Sequence, residues 1–250
     1  MLSVVNIAAY RFVQLQDKSL MSLQILFKAE CLRLNIKGTI LLSMEGINLF
    51  LAGRRADITE FQGLLNSFSY FKSLVFRESF SNLQPFKRML VKIKKEIIPF
   101  GVDLMQYKSP AAPTISPETL KKWLEKNSRI VLLDARNSFE VKLGSFKNSL
   151  HLGLRHFRDF PKSVQKLHNI IENVPIVTFC TGGIRCEKAS ALLLQSGFKQ
   201  VYQLDGGILN YFAKCGGDHY TGLCFVFDAR RALTPSLEAI DDERFHFEQS

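Results

Sequence analysis

Over residues 1–98 the apolar positions switch between a period of two and a period of three to four. Val4 to Val13 reads as a strand. A helix follows that Asp17 or Ser19 can cap, with Leu20, Leu23, Leu26, Phe27, Cys31 and Leu34 on one face and Gly38 expected to end it. Thr39 to Met44 and Ile47 to Leu51 are strand-like and flank Glu45-Gly46, the pattern of a tight hairpin. Asp57-Ile-Thr-Glu60 has capping-box spacing and opens a helix through Leu65. Leu74 to Ser79 and Met89 to Ile97 complete the series. The order β-α-β-β-α-β, with an extra strand, predicts a ferredoxin-like α+β domain over 1–98.

The pattern breaks over 99–116, where Pro99, Gly101, Pro110 and Pro113 replace apolar repeats, and this stretch reads as a linker. Ser116-Pro117 has the form of an N-cap followed by proline at the first helical position. From 117 to 216 short, wholly apolar strands alternate with helices. The strands are Ile130 to Asp134, Ser149 to Leu152, Ile176 to Phe179 and Val201 to Leu204. The helices are Pro161 to Ile171, Lys188 to Gln195 and Ile208 to Cys215. Strands without polar alternation are buried on both faces, so this half predicts an α/β unit with a central parallel sheet. Ligands of such sheets sit at the carboxyl ends of strands, where Asp134, Cys180 and Asp205 fall.

The chain has 250 residues, 46% of them hydrophobic, with 21 Phe and one Trp, enough for two cores. No apolar run approaches the roughly 20 residues of a membrane helix, and Met1 to Asn6 lacks the basic start of a secretion signal, so a cytoplasmic location is expected. The net charge of +10 is unevenly spread: +7 over 1–110, +7 over 111–216 and −4 over the acidic extension 217–250. Two basic units suit a polyanionic partner. Cys31, Cys180, Cys186, Cys215 and Cys224 form no CxxC, and His151, His156, His168, His219 and His246 form no HxxxH, so neither a disulfide framework nor a metal site is indicated. No cofactor motif is evident.

The chemistry concentrates in Cys180-Thr181-Gly182-Gly183-Ile184-Arg185-Cys186. A cysteine delivered by a buried strand to a glycine loop before a helix meets inward backbone N–H groups and the positive end of the helix dipole. That setting favours the thiolate, the nucleophilic form. Gly182 and Gly183 let amides approach an anion, Thr181 offers a hydroxyl, and Arg185 adds a full positive charge. A cysteine phosphatase would place its arginine one position later, where this chain has Cys186, and phosphatase chemistry is not expected. Cys186 either resolves an oxidised or sulfur-loaded Cys180 or packs on the first turn of the helix. Asp134 and Arg136 form either a structural pair or, through Arg136, a substrate contact. Lys92 and Lys94, alternating with apolar residues on one strand, are candidates for phosphate contact. Cys31, Cys215 and Cys224 are expected to pack.

Asp134-Ala-Arg-Asn137, Gly144-Ser-Phe146, the Cys180 loop and Asp205-Gly-Gly-Ile208 together resemble a rhodanese domain. With Gly38-Thr-Ile-Leu-Leu-Ser-Met-Glu-Gly-Ile-Asn48 before it and Cys224-Phe-Val-Phe-Asp-Ala-Arg230 after it, the arrangement resembles the rhodanese-related tRNA uridine hydroxylases over about residues 2–232. The resemblance implies oxygen-dependent hydroxylation of the wobble uridine of tRNA (position 34) at C5, giving 5-hydroxyuridine, with molecular oxygen as co-substrate and Cys180 as the essential residue. It implies the tRNA anticodon loop as partner. Unpaired bases are commonly held by aromatic rings or guanidinium planes, and Tyr107, Arg155, Phe157, Arg158 and Phe160 are candidates, beside their plainer reading as core aromatics and solvated arginines. Many members continue into a cysteine-rich tail; here no cysteine follows Cys224. The same loop could instead serve a sulfurtransferase that passes persulfide sulfur from Cys180. Oligomeric state is left open.

Overall fold

The computed structural model describes residues 4–102, 112–169 and 174–240. Tyr107, half of the stretch expected as linker and the end of the acidic extension lie outside these residues. The chain divides into two compact units, Met1–Ile98 and Pro99–Ser250.

The first unit runs β1 (Val4–Phe12), α1 (Asp17–Arg33), β2 (Lys37–Ser43), β3 (Gly46–Gly53), α2 (Arg55–Ser67), β4 (Arg77–Ser81) and β5 (Met89–Ile93). Its sheet has the order β4-β1-β3-β2-β5, and all pairs are antiparallel except β2 with β5. This is the expected split β-α-β motif with the extra strand added beside β2. Val5, Ile7 and Ala9 alternate inward from β1 to meet Phe27 of α1 and Phe61 of α2, whose rings lie 5.8 Å apart.

Three local expectations change. Helix α1 ends at Arg33, and the left-handed residue after it is Asn35, not Gly38. Gly38 lies inside β2, where an added Cβ would sit 2.1 Å from the Phe50 carbonyl. The hairpin turn is Met44-Glu45, because Ser43 pairs with Gly46. Asp57 does not cap α2; it lies in the first turn and its carboxylate accepts from the Arg54 side chain at 2.7 Å.

The second unit contains β6 (Thr114–Ile115), α3 (Pro117–Glu125), β7 (Val131–Asp134), α4 (Ser138–Val141), β8 (Gly144–Phe146), β9 (Leu150–His151), α5 (Phe160–Val164), β10 (Ile176–Phe179), α6 (Ile184–Gln195), β11 (Val201–Leu204), α7 (Gly207–Cys215), β12 (Tyr220–Gly222), β13 (Cys224–Phe225) and β14 (Ala232–Leu233). The central sheet, β6-β11-β10-β7-β9, is parallel throughout. Ser116 caps α3 as expected, accepting the Thr119 N–H at 3.1 Å with Pro117 in the first turn. The Phe146 ring sits edge-on to Phe179, Tyr211 and Tyr220 within 5.3 Å, which closes the core beneath the carboxyl ends of β7 and β10. Phe100 is also buried in this unit, against Phe157 and Phe160.

Candidate active site

Strand β10 hands the chain to Cys180 beside the end of β7, since Phe179 pairs with Asp134 and the Ala135 N–H donates to the Phe179 carbonyl at 2.9 Å. Helix α6 begins at Ile184, earlier than the expected Lys188, with Gly183 as its cap in a left-handed conformation (φ 99°). The loop is therefore only Cys180 to Gly183, and Arg185 and Cys186 stand on the first turn of the helix. A second helix fixes the loop from the other side. The Ile208 and Leu209 N–H groups, at the start of α7, donate to the Cys180 and Thr181 carbonyls at 2.9 and 3.1 Å. With those carbonyls held by α7, the Gly183 N–H turns inward and donates to Cys180 Sγ at 3.1 Å.

The thiol is fully buried. Burial works against its ionisation, but the Cys186 thiol, the Arg185 charge and the Arg185 and Gly183 backbone N–H groups outweigh that and bring it from 9.0 down to about 6. Cys186 moves the other way, pushed well above 9.0 by burial and by its neighbour Cys180. The opposite shifts make Cys180 the member of the pair that ionises first.

Arg185 does not stand alone. It makes two parallel bonds to Glu140, Nη1 to Oε2 at 2.5 Å and Nη2 to Oε1 at 2.7 Å, with both side chains buried. Below it, Arg136 is wholly buried. Its guanidinium donates to Asp134 at 2.6 and 2.9 Å and to the Gly144 carbonyl at 2.7 Å. This geometry favours the structural role of the Asp134–Arg136 pair over substrate contact. Thr181 Oγ1 donates to the Phe225 carbonyl at 3.3 Å, so the loop is also tied to β13.

Of the other candidates, Phe157 and Phe160 are core residues, in line with the plainer of their two readings and not with base stacking, while Arg155 and Arg158 are exposed. Lys92 and Lys94 are exposed on the first unit, Lys92 on β5 and Lys94 just past it.

Residues 4–97 match the UPF0176 acylphosphatase like domain, and residues 116–214 match the Rhodanese-like domain. The chain is 46% identical over 242 residues to the tRNA uridine(34) hydroxylase of Cupriavidus metallidurans, covering 95% of this chain and 85% of that one. The chain belongs to the tRNA uridine(34) hydroxylase family. Other members are similar: that of Bordetella petrii is 46% identical over 240 residues, covering 94% of each chain. That of Thiobacillus denitrificans is 43% identical over 244 residues, covering 96% of this chain and 98% of that one.

Three features of this hydroxylase-family site have roles that only the fold reveals, two of them within the Cys224–Arg230 motif. Glu140 pairs with Arg185 across 45 positions; its only local signal was the spacing from Asn137, whose N–H it accepts at 3.1 Å. Asp228-Ala-Arg230 repeats the Asp134-Ala-Arg136 staple, with the Arg230 N–H and guanidinium bound to Asp228 at 3.0, 2.8 and 2.6 Å. Phe225 and Phe227, in the same segment, bring rings to the loop.

Proposed function

We propose that this protein hydroxylates the wobble uridine of tRNA at C5, with Cys180 as the essential residue and dioxygen as the source of the added atom. Near-full-length likeness to tRNA uridine(34) hydroxylases carries the reading. The cradle around Cys180 supports it, because a thiolate stable near neutral pH is a nucleophile without need of a separate base. Insertion of one oxygen from dioxygen releases the other as water, so a two-electron reductant, a thiol by class, completes the reaction.

The chain's own residues divide the work. Gly183 N–H, Arg185 and Cys186 keep the sulfur ionised, Glu140 holds Arg185 in place, and α7 clamps the loop. Uracil C6 is the electrophilic carbon of the ring, and addition of the thiolate there would leave C5 enolate-like and open to oxygen. With Sγ buried, such an adduct requires the loop to open on its Gly182 side, where an added Cβ would meet nothing within 4 Å. An oxidised or persulfidated Cys180 requires only that a small reactant enter.

Substrate binding falls to groups outside the cradle. Arg155, Arg158, Lys92 and Lys94 are exposed cations suited to phosphate. The anticodon loop is the target this reading demands, since its bases are unpaired and can be splayed outward. The cytoplasm is where such a substrate resides; among the described residues no helix is long and apolar enough to cross a membrane. Sulfur transfer from Cys180 is the less supported use of the same loop, because the relatives matching over nearly the whole chain carry the hydroxylase name.

Mass spectrometry of tRNA nucleosides tests the reading. Cells lacking the protein should regain 5-hydroxyuridine with the parent and not with Cys180→Ala. Product restored by Cys180→Ala would refute the role of the thiol.

A further inference from the structure

Among the described residues of the second unit, the large hydrophobic side chains left exposed are Phe139 (47%) and Phe227 (53%). They are not scattered. Phe225 lies between them, edge-on to Phe139 with ring centroids 5.1 Å apart and edge-on to Phe227 at 4.9 Å. Phe225 thus links two exposed rings through edge-on contacts, and together they offer aromatic surface to whatever approaches.

The cluster is joined to the Cys180 loop and the first turn of α6 at three points. The Phe227 ring lies 5.9 Å from the Arg185 guanidinium carbon. Phe139 directly precedes Glu140, the partner of Arg185. The Phe225 carbonyl accepts the Thr181 hydroxyl. The rings therefore stand at the same loop as the thiolate and are positioned by the groups that hold that loop.

The segment bearing two of them is built to hold them outward. Cys224 and Val226 are buried, while Phe225 is half-buried and Phe227 exposed, so over β13 and the bend after it burial alternates and the phenylalanines take the outward positions. Its turn is stapled by Asp228–Arg230 and by the Val226 N–H to the Arg231 carbonyl at 2.8 Å. It also lies beyond residues 116–214, the part that matches the Rhodanese-like domain, and so adds to the basic fold of that domain. A small sulfur donor or acceptor gives no reason for such an addition. A flat unpaired base does.

We propose that Phe139 and Phe227, backed by Phe225, form a stacking platform that receives an unpaired pyrimidine base of the tRNA and holds it at the Cys180 loop. The proposal rests on the tRNA reading above. The patch is narrow, two exposed rings and one half-buried, which suits one base rather than a protein interface. Stacking on aromatic rings tolerates any base, so these residues position the substrate, while recognition of uridine lies elsewhere. The paired Arg185 beneath Phe227 adds rigidity and cation–π attraction to the platform.

The test uses the full chain and an anticodon stem-loop RNA with a fluorescent base analogue at the wobble position, beside steady-state assays on tRNA with a native uridine there. Phe227→Ala, Phe139→Ala, Phe227→Leu and Phe227→Trp are compared with the parent. Binding of the parent should quench the analogue, and Phe227→Ala should lose that quench together with about 5- to 150-fold in kcat/KM. Phe227→Leu should fail like Ala, and Phe227→Trp should behave like the parent, a pattern that loss of apolar packing alone would not give. Parental quench and kcat/KM in both alanine variants would overturn the platform while leaving the tRNA reading intact. A parent that neither binds nor modifies the RNA would overturn both.

Discussion

Arg185 and Glu140 form a heavily desolvated ion pair at the loop, with side chains only 5% and 0% exposed. Replacing Arg185 with Met removes one charge and leaves the Glu140 carboxylate buried with the Asn137 N–H at 3.1 Å as its remaining bond. A buried charge stripped of its partner costs about 3–5 kcal/mol. The double variant Arg185→Met/Glu140→Gln removes both charges and keeps a neutral acceptor for Asn137. It should recover all but about 1 kcal/mol, because a buried ion pair replaced by neutral groups is often close to neutral in stability. Urea denaturation of parent, single and double variants measures both figures.

Activity should separate from stability in this series. Neither variant has the Arg185 charge, so in both the Cys180 thiol should move up from about 6 toward 9.0. The ultraviolet absorbance of the thiolate, taken as the difference from Cys180→Ser in each background, reports the titration. Near neutral pH both variants should form 5-hydroxyuridine more slowly than the parent, the double no better than the single. Rescue of activity along with stability would show that Arg185 serves only to satisfy Glu140. A single variant that loses less than about 1 kcal/mol would refute the claim that the pair is desolvated.

Other consequences follow from the same geometry. Parental activity should be present above about 6 and fall as pH drops through it, since the thiol's lowered value makes protonation the inactivating step; a profile rising only near 9.0 would contradict this. Gly207→Ala should cost about 1–3 kcal/mol from its φ of +64° and displace the loop as well, because the new Cβ would lie 2.3 Å from the Cys180 carbonyl, whereas Gly182→Ala meets nothing within 4 Å and should stay within about 0.5 kcal/mol of the parent. Equal melting temperatures for the two would refute the account of the clamp. If Lys92 and Lys94 contact phosphate, replacing both with Ala should weaken tRNA binding and make its logarithmic salt dependence shallower by about 1 to 2; an unchanged salt slope would remove them from the interface.

Much of this architecture was legible because it is local. Period-two and helical patterns are set by neighbouring residues, and they gave the split β-α-β motif, the parallel sheet and the cysteine at a strand's carboxyl end. The misreadings have physical causes. Gly38 looked like a helix stop, yet its lack of a side chain serves a strand crossing close to Phe50. Asp57 had capping spacing, but Arg54 was near enough to take its carboxylate. The Arg185–Glu140 pair exists only because the fold brings α4 to α6, and no local pattern carries that information. The outward rings were readable in part: Cys224-Phe-Val-Phe227 alternates with a period of two, although β13 itself ends at Phe225. Which face met water depended on the packing of Cys224 and Val226.

The central claim is that the thiolate of Cys180 is required for moving an oxygen atom from dioxygen to C5 of the wobble uridine. It is tested most directly with purified protein, tRNA lacking the modification, a thiol reductant and isotope-labelled dioxygen, followed by mass spectrometry of the digested nucleosides. Labelled 5-hydroxyuridine is expected at the wobble position with the parent and none with Cys180→Ser. Label arriving from water, a thiolated nucleoside in its place, or undiminished product from Cys180→Ser would contradict it.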